Sequence, residues 1–563
     1  MRPWQAGDEA ELARMGYKQE LKRELGVLQN FGVSFSIISV MTGIPSLFAY
    51  GLSTGGPAVM VWGWVIVSFF TLMVGMAMAE VCSAHPTSGG PYFWAAMLST
   101  PRSAAIMSWI TGWFNLLGQV AVTTGISFGC ANFISTVCTF KTSFVPDANT
   151  TIGIYAAVLV TQGLINTFGV HILHHLNNVS VWWHALGTIV LVIVVLAKAP
   201  THQSGHDVFL KFIDGTAADE DSIGWGARAS NAYVAVIGVR RSPLLSEGQS
   251  LTGGFDASAH MTEETRNAAM SGSIGIVMAI GVSAILGWYL LLGLLFSIQD
   301  YDAVANTSTG QPVAQILLDA VGTDGAIVLM VIIIGCMYFC GTFSITSNSR
   351  MMYAFSRDGG IPGGKWFAHV DKKWRSPIRT VWLACTLSFI LGLPSLGSDV
   401  AFSAATSIAT IGLYISYAIP VALRVMNHKH FVRGPFHLGA FSFPVAIIAV
   451  VWIMFIAIVF VLPTINPVNS QTLNYAPVAV GIVITYSVGF WLLSARKWFT
   501  GPVKQIEAEA MGVNVIEGED ELRSEDIVKK VSRDGVSEKE RDGVSEKEGA
   551  SEKEPAEVRV KQA

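Results

Sequence analysis

Long apolar runs alternate with short polar connections along most of the chain. A helix of about 20 mostly apolar residues spans the hydrocarbon core of a bilayer, and runs such as WWHALGTIVLVIVVLA and AIVLMVIIIGCMYFCGTF have this character. The pattern predicts an all-α polytopic membrane protein. Its spans, about twelve, are predicted at residues 28–52, 58–80, 104–137, 152–170, 179–198, 229–254, 272–298, 325–347, 379–394, 400–424, 442–463 and 475–495.

Composition supports this class and sets one segment apart. Hydrophobic residues make up 51% of the chain and charged residues 13%, and the mean hydropathy is +0.49. Residues 503–563 nevertheless hold 28 of the 76 Asp, Glu, Lys and Arg residues and repeat the unit RDGVSEKE, which is typical of disorder. We therefore predict an N-terminal segment (1–27), a transmembrane domain (28–498) and a disordered charged tail (499–563).

Lys and Arg are concentrated in every second connection between the predicted spans, and alternate connections such as GLSTGGP are nearly bare of them. Cytoplasmic connections carry the excess of positive charge in membrane proteins. Both termini are therefore predicted to face the cytoplasm, or the equivalent side of an organelle. The charged connections contain Lys18, Lys22 and Arg23; Arg350, Arg357, Lys365, Lys372, Lys373, Arg375 and Arg379; Arg424, Lys429 and Arg433; and Arg496, Lys497 and Lys504.

Two predicted spans contain residues that interrupt a helix. The first includes SIISVMTGIPSLF, where Thr42, Gly43 and Pro45 lower helix propensity and remove an amide donor. The sixth includes SLTGGFDASAH, with Gly253 and Gly254 adjacent. Interrupted segments at matching positions of two halves indicate the binding site of an inverted-repeat transporter. The alternative is that both are kinks with only a packing role.

The two interruptions have complementary chemistry. A half-helix that begins after Gly43 would present free amides and a positive dipole end to an anionic group. A half-helix that ends near Thr252 would present free carbonyls to a cation. Together they suit a zwitterion such as an amino acid.

Several motifs resemble the amino acid–polyamine–organocation superfamily, and most closely its branch of bidirectional amino acid transporters and GABA permeases of plants and fungi. The resemblance covers about residues 16–503 and is carried by GYKQELKRELGVLQNFGVSFSIISVMTGI, AEVCSAHPTSGGPYFWAAML, GFDASAHMTEET, TSNSRMMYAFSRDGGIP, SIATIGLYISYAIP and LNYAPVAV. It implies a five-plus-five inverted-repeat core with broken helices 1 and 6, two further helices, and secondary transport of amino acids, including GABA, by alternating access.

The resemblance also implies roles for individual residues. The backbone of Thr42, Gly43 and Ile44 would hold the substrate carboxylate. The carbonyls of Thr252, Gly253 and Gly254, with Phe255, would hold the amino group and gate the site. Glu263 and Glu264 would support gating or pair with Arg266. Asp256 is a functional candidate because acids inside membrane spans are rare and usually functional, or it caps the N-terminus of a half-helix.

Other polar groups have simpler interpretations. Asn115 and Gln119 in the third span either line a pathway or form hydrogen bonds between helices. His171, His174 and His175 have metal-compatible spacing, as do Cys336 and Cys340, but no further ligand accompanies either set. We therefore predict no metal and no cofactor. The segment VRRSPLLSEGQ (239–249) adds charges and Pro243 at bundle depth. We interpret it as a gene-model or splice-boundary artefact, or else as the mark of a variant with an impaired substrate site; the alternative is a bulge lining an aqueous vestibule.

Several functions remain open at this level. A choline or polyamine permease would use a buried acid or an aromatic cage, and a nutrient sensor could share the scaffold. An enzyme is not expected, because no nucleophile–base pair emerges, and neither is a nucleic-acid partner. A co-transported or exchanged ion is expected to be a proton rather than sodium. The membrane is the plasma membrane or a mitochondrial, Golgi or vacuolar membrane.

Overall fold

The computed structural model describes residues 3–502 except residues 16, 18, 22, 169, 220, 242–253 and 398. The chain divides into two units, Met1–Val503 and Lys504–Ala563, and the second unit lies outside the described residues. The predicted disordered tail (499–563) therefore falls almost entirely outside them.

The described residues form helices and only isolated β-bridges, which confirms the all-α prediction. The helices are α1 (Pro3–Arg14), α2 (Val27–Ile38), α3 (Val40–Ser53), α4 (Gly56–Ala84), α5 (Pro91–Met97), α6 (Ala104–Thr139), α7 (Ala148–Phe168), α8 (Val170–Lys198), α9 (Gly205–Leu210), α10 (Trp225–Arg228), α11 (Asn231–Arg241), α12 (Ala257–His260), α13 (Ala268–Phe296), α14 (Tyr301–Ala305), α15 (Pro312–Arg357), α16 (Gly364–Phe367), α17 (Ile378–Gly392), α18 (Asp399–Met426), α19 (Ser442–Val461) and α20 (Ala476–Leu493). Short 3₁₀ turns occupy Thr262–Glu264, Leu393–Leu396, Gly439–Phe441 and Ala495–Lys497.

Eleven segments of the described chain are long and apolar enough to cross a membrane. They correspond to all the predicted spans but the sixth. Helix α11 occupies the first half of that span, and the segment that should follow it, including Thr252 and Gly253, lies outside the described residues. Large apolar side chains such as Trp182, Ile285 and Ile458 are exposed on the outside of the bundle, where hydrocarbon rather than water is their natural solvent.

Small residues set the spacing of the inner helices. Helix α13 packs on α2 and α4, and α6 packs on α15 and α18. A Cβ atom added to Gly75 of α4 would lie 2.2 Å from Ile280 of α13, so only glycine allows this approach. Close packing of this kind replaces the hydrophobic effect as the force that holds membrane helices together.

Helix α5 lies between the second and third predicted spans, and α15 continues beyond the end of the predicted eighth span. The short stretch 86–97 contains the seven-residue helix α5, which is buried against α6. Helix α15 continues to Arg357, with a non-helical residue at Gly322. Arg350 and Arg357 were predicted to lie in a connection after the eighth span; that prediction is wrong, because both belong to α15, where they pair with Glu264 and the buried Glu263.

Candidate functional site

The first span is interrupted at Ser39, between α2 and α3. Its backbone angles (φ 17°, ψ 88°) are not helical, and Val40 starts the second half-helix. The expected start after Gly43 is therefore wrong by four residues. Pro45 is accommodated inside α3, so the interruption does not fall at the residue that lacks an amide donor.

The segment Gly254–Asp256 lies directly against α2. The Ser34 hydroxyl is 3.1 Å from the carbonyl oxygens of both Gly254 and Phe255, and it accepts the Ser258 amide at 2.9 Å. Gly254 adopts φ +94°, and a Cβ atom there would lie 2.2 Å from the side chain of Ile37. The structure thus brings together the two regions that the sequence marks as interrupted.

The predicted substrate-binding residues of the first span lie in the first turns of α3. Thr42, Gly43 and Ile44 are all buried. The amides of Thr42 and Gly43 donate to the Ser39 carbonyl at 2.8 and 3.1 Å. Of the residues predicted in the sixth span, Gly254 and Phe255 are buried, while Thr252 and Gly253 lie outside the described residues.

Asp256 is the centre of a buried polar network that joins α12 to α6. Its carboxylate accepts hydrogen bonds from the amide nitrogens of Asn115, at 3.2 Å, and Gln119, at 3.0 and 3.1 Å. His260 lies one turn further on, with Nε2 at 3.3 Å from the same carboxylate. All four side chains are at most 1% exposed.

The sequence left open whether Asp256 is a functional acid or a helix cap, and whether Asn115 and Gln119 line a pathway or form hydrogen bonds between helices. Asp256 stands at the N-cap position of α12, yet its side chain makes no capping hydrogen bond. Asn115 and Gln119 do form hydrogen bonds between helices, and their partner is this acid. A buried carboxylate held by neutral amides keeps its interaction with any cation that approaches it, because no fixed positive charge neutralises it.

Aromatic rings lie beside the same acid. Phe255 and Tyr417 have ring centroids 5.0 Å apart, and Tyr414 lies 6.5 Å from Tyr417. All three rings are buried. The face of an aromatic ring attracts cations, so this side of the network combines one carboxylate with a small aromatic wall.

A second cluster of polar and aromatic residues surrounds Glu263, at the C-terminal end of α15. We call it the Glu263–Arg357 cluster and define it as Tyr17, Tyr92, Glu263, Arg357 and Asp358. Glu263 is fully buried and accepts two hydrogen bonds from the Arg357 guanidinium, at 3.1 and 3.2 Å, and one from the Ser88 amide at 3.1 Å. Arg357 also stacks over the Tyr17 ring, 3.9 Å from its centroid.

Asp358 completes the Glu263–Arg357 cluster. One of its carboxylate oxygens accepts from the hydroxyls of Tyr17 and Tyr92, at 2.9 and 2.8 Å. The other oxygen is buried and has no hydrogen-bond partner in the described part of the chain. Burial, only partly offset by Arg357, raises the pKa of Asp358 to about 6. This carboxyl therefore binds a proton more readily in the closed cluster than it would in water.

The N-terminal segment is folded onto the same end. Arg23 donates to the carbonyls of Thr262 and Thr265, at 2.9 and 2.6 Å. Asp8 of α1 accepts the amides of Asn267 and Ala268 at the start of α13. The N-terminal residues thus hold the segment that carries both Asp256 and Glu263.

Glu264 makes a separate ion pair. Arg350, fully buried in α15, donates to its carboxylate at 2.8 Å. Arg266, the partner expected from the sequence, donates to the Arg23 carbonyl at 3.3 Å. The roles of Arg350, Arg357 and Asp358 were missed because the sequence places them outside the membrane, although their motif, TSNSRMMYAFSRDGGIP, was recognised.

A bundle of membrane-length helices that buries a carboxylate among amides, beside an interrupted helix, defines a polytopic membrane protein with a polar interior site. The family model described as amino acid permease matches residues 28–485. The chain belongs to this family.

Individual relatives are similar over nearly the whole chain. The amino-acid permease BAT1 homolog of Oryza sativa subsp. japonica is 45% identical over 88% of this chain and 96% of its own length. The amino-acid permease BAT1 of Arabidopsis thaliana is 42% identical with the same coverage. The GABA-specific permease of Saccharomyces cerevisiae is 33% identical over 91% of this chain and 89% of its own.

Proposed function

We propose that this protein is a secondary transporter of amino acids, GABA among them, that works by alternating access on a five-plus-five inverted-repeat core. The observation that supports the proposal is the contact between helix α2, which ends at the Ser39 interruption, and the Gly254–Asp256 segment, made through the Ser34 hydroxyl. Two interrupted segments in contact create backbone donors and acceptors inside a membrane protein. The names of the relatives, amino-acid permease and GABA-specific permease, support the substrate class.

In this proposal the first turns of α3 bind the substrate carboxylate. The backbone of Thr42, Gly43 and Ile44 faces it, helped by the positive end of the helix dipole. Because the amides of Thr42 and Gly43 donate to the Ser39 carbonyl, the carboxylate has to replace that carbonyl as their acceptor. Binding is therefore coupled to a change of conformation at the interruption.

The amino group binds on the opposite side. The carbonyls of Thr252, Gly253 and Gly254 accept from it, and Phe255 covers it. Asp256 places a carboxylate nearby, 3.3 Å from Nε2 of His260. A proton, rather than sodium, is the proposed coupling ion.

Glu263 and Glu264 act as gating residues at the other end of the segment. Their ion pairs with Arg357 and Arg350 hold that end closed. The distribution of Lys and Arg supports a cytoplasmic position for this end and for both termini. The host membrane, whether plasma, mitochondrial, Golgi or vacuolar, follows from none of these contacts.

A cationic amine such as choline or a polyamine is the second candidate. The aromatic rings of Phe255, Tyr414 and Tyr417 beside the Asp256 carboxylate favour it, because a carboxylate and ring faces together recognise ammonium groups. A zwitterion differs from these amines in needing the α3 end of the site as well.

Uptake into proteoliposomes tests both candidates. The purified protein is reconstituted and offered radiolabelled amino acids, GABA, choline and a polyamine, with and without a pH gradient. We expect uptake of amino acids and GABA. Saturable uptake of choline or polyamine alone would replace the first candidate with the second, and no uptake of any substrate would refute both.

A glycine substitution tests the position of the site. Gly43→Leu should reduce amino acid uptake to background, because a branched side chain fills the space that the carboxylate needs. Gly281→Leu in α13 is the matched control, since a Cβ atom at Gly281 meets nothing within 4 Å. Wild-type uptake by a monodisperse Gly43→Leu protein would exclude the proposed site.

A further inference from the structure

A single histidine lies against the residue at which the first span is interrupted. His184 of α8 is 1% exposed, and its Nε2 lies 2.9 Å from the hydroxyl oxygen of Ser39. Its Nδ1 lies 2.8 Å from the Ser180 carbonyl oxygen. On the other side of Ser39, the Thr42 hydroxyl is 2.7 Å away. An ionisable ring is thus connected by one hydroxyl to a residue of the proposed carboxylate site.

The chemistry of the groups fixes the direction of this chain. A carbonyl only accepts hydrogen bonds, so Nδ1 of His184 carries the proton that Ser180 receives. In the neutral ring Nε2 is then an acceptor, and the Ser39 hydroxyl donates to it. The Thr42 hydroxyl in turn donates to Ser39. With the ring neutral, the Thr42 hydroxyl proton is committed to Ser39 and faces away from any substrate.

Protonation at Nε2 reverses the chain. The ring then donates to Ser39, the Ser39 hydroxyl donates to Thr42, and the Thr42 hydroxyl proton is released for another acceptor. One proton from solution forms one new N–H bond, and no other covalent bond changes because the two hydroxyls only rotate. Histidine is suited to this change because a ring nitrogen that accepts a hydrogen bond in the neutral ring donates one in the protonated ring.

Among the described residues, the helices packed around His184 bring no charged side chain that would compete with a substrate. The helices that pack on α8, namely α2, α7 and α13, carry no Asp, Glu, Lys or Arg, and neither does α3. Helix α15 has none between residues 325 and 349; it brings the backbone of Cys336 to His184 and the thiol of Cys340 to the Ile37 carbonyl. On α8 itself the other ionisable residues, His171, His174, His175 and Lys198, lie toward its two ends.

We propose that His184 is a coupling residue: its protonation turns the Thr42 hydroxyl toward the substrate carboxylate, so that proton and substrate bind together. This rests on the function proposed above. A buried positive charge without a negative partner is unfavourable, and the carboxylate brings the missing negative charge to this end of the site. Each ligand therefore increases the affinity for the other, as thermodynamic linkage requires.

The test separates coupling from transport itself. Proteoliposomes are loaded and two quantities are measured with radiolabelled GABA: uptake driven by a pH gradient, and counterflow at equal pH on both sides. We expect the ratio of gradient-driven uptake to counterflow to fall at least tenfold in His184→Gln. The pH dependence of the KM should flatten as well. His175→Gln, an exposed residue of the same helix, should match the wild type.

A second variant guards against a misfolded His184→Gln protein. Ser39→Ala removes the hydroxyl between the ring and Thr42 and should lower the same ratio with His184 still present. A pH profile and a ratio equal to those of the wild type in either folded variant would overturn the inference. Wild-type transport of GABA that no pH gradient alters would overturn it too, while leaving amino acid transport intact. Absence of any amino acid transport would refute the proposed function itself.

Discussion

Replacing Glu263 by glutamine should open the end of the bundle that the Glu263–Arg357 cluster closes. The carboxylate is fully buried and accepts three hydrogen bonds, two from Arg357 and one from the Ser88 amide. Glutamine keeps the volume and one carbonyl acceptor, but it removes the charge and turns an NH₂ group toward the guanidinium.

The free energy lost in Glu263→Gln can be estimated from the burial of the Glu263–Arg357 ion pair. Removing one partner of a buried ion pair costs about 3–5 kcal/mol. We expect the lower end, about 3 kcal/mol, because the side-chain carbonyl can still accept from Ser88 and Arg357 keeps its contact with the Tyr17 ring. At roughly 1.4 kcal/mol per factor of ten, local opening of the segment 254–268 should become about 100-fold more frequent.

Hydrogen exchange followed by mass spectrometry measures this opening directly, since buried amides exchange through local opening. A loss of about 3 kcal/mol predicts that peptides covering residues 254–268 exchange about 100-fold faster in Glu263→Gln than in the wild type. Peptides from α7 should exchange at the same rate in both. The control is Asp324→Asn at the other end of α15, whose partner is Lys141; these side chains are 83% and 56% exposed. An exposed pair contributes about 1 kcal/mol or less.

The reasoning would be refuted by equal exchange of the segment in Glu263→Gln and Asp324→Asn, with both proteins monodisperse. Arg357→Lys provides an intermediate case, because lysine keeps the charge and loses the two-pronged geometry. Its exchange should fall between those of the wild type and Glu263→Gln. Exchange no faster than in the wild type would show that the paired hydrogen bonds contribute little.

Three further predictions concern neighbouring features. The pKa of Asp358 is about 6 in the Glu263–Arg357 cluster and 3.8 ordinarily, so its protonation stabilises the cluster fully below pH 4 and this effect is lost as the pH rises through 6. Hydrogen exchange of residues 254–268, corrected for its intrinsic pH dependence, should therefore be roughly tenfold slower at pH 5 than at pH 7. The substitution Asp358→Asn should abolish this difference. Gly254→Ala should abolish GABA uptake, because the new Cβ atom would lie 2.2 Å from the Ile37 side chain of α2. Gly322 also has a positive φ, but a Cβ atom there meets nothing within 4 Å, so Gly322→Ala should retain uptake. Equal loss of uptake in both variants would indicate backbone strain alone. Asn149 and Asn178 each begin an Asn-X-Ser/Thr sequon. In a cell whose secretory pathway receives the protein, the proposed orientation permits a glycan on Asn149 and none on Asn178; modification of Asn178 but not Asn149 would overturn that orientation.

The spans were predictable because their signal is local. A run of about 20 apolar residues has few alternatives to a membrane helix, and eleven such helices occur among the described residues. The same logic failed at the end of the eighth span. Arg350 and Arg357 are charged, so hydropathy ends the span before them, yet Glu264 and Glu263 stabilise both inside a continuing helix.

The position of the interruption shows a different limit. Gly43 and Pro45 lower helix propensity, and the sequence correctly indicates a weak region around them. The backbone leaves the helix at Ser39, where hydroxyl contacts with Thr42 and His184 are available. Those contacts come partly from a helix more than 140 residues away, and no local propensity contains them.

The partners of Asp256 could be predicted from the sequence only in part. Asn115 and Gln119 are four residues apart on α6, so the sequence alone places them on one helix face. That this face meets Asp256 depends on how α6 and α12 pack, which the sequence does not state. An acid, two amides and an aromatic wall become a site only through that packing.

The segment from Gly254 to Thr265 links the interior site to the closed end of the bundle. Asp256 and Glu263 are seven residues apart, and buried side chains on other helices hold both carboxylates. Between them Ser258 is bonded to Ser34 of α2, and Arg23 holds the Thr262 carbonyl. A segment this short, fixed at each of these points, cannot leave Arg357 without straining the hydrogen bonds of Asp256. We therefore expect a change at Glu263 to reach the Asp256 carboxylate through this single stretch of backbone, as the proposed alternating access requires.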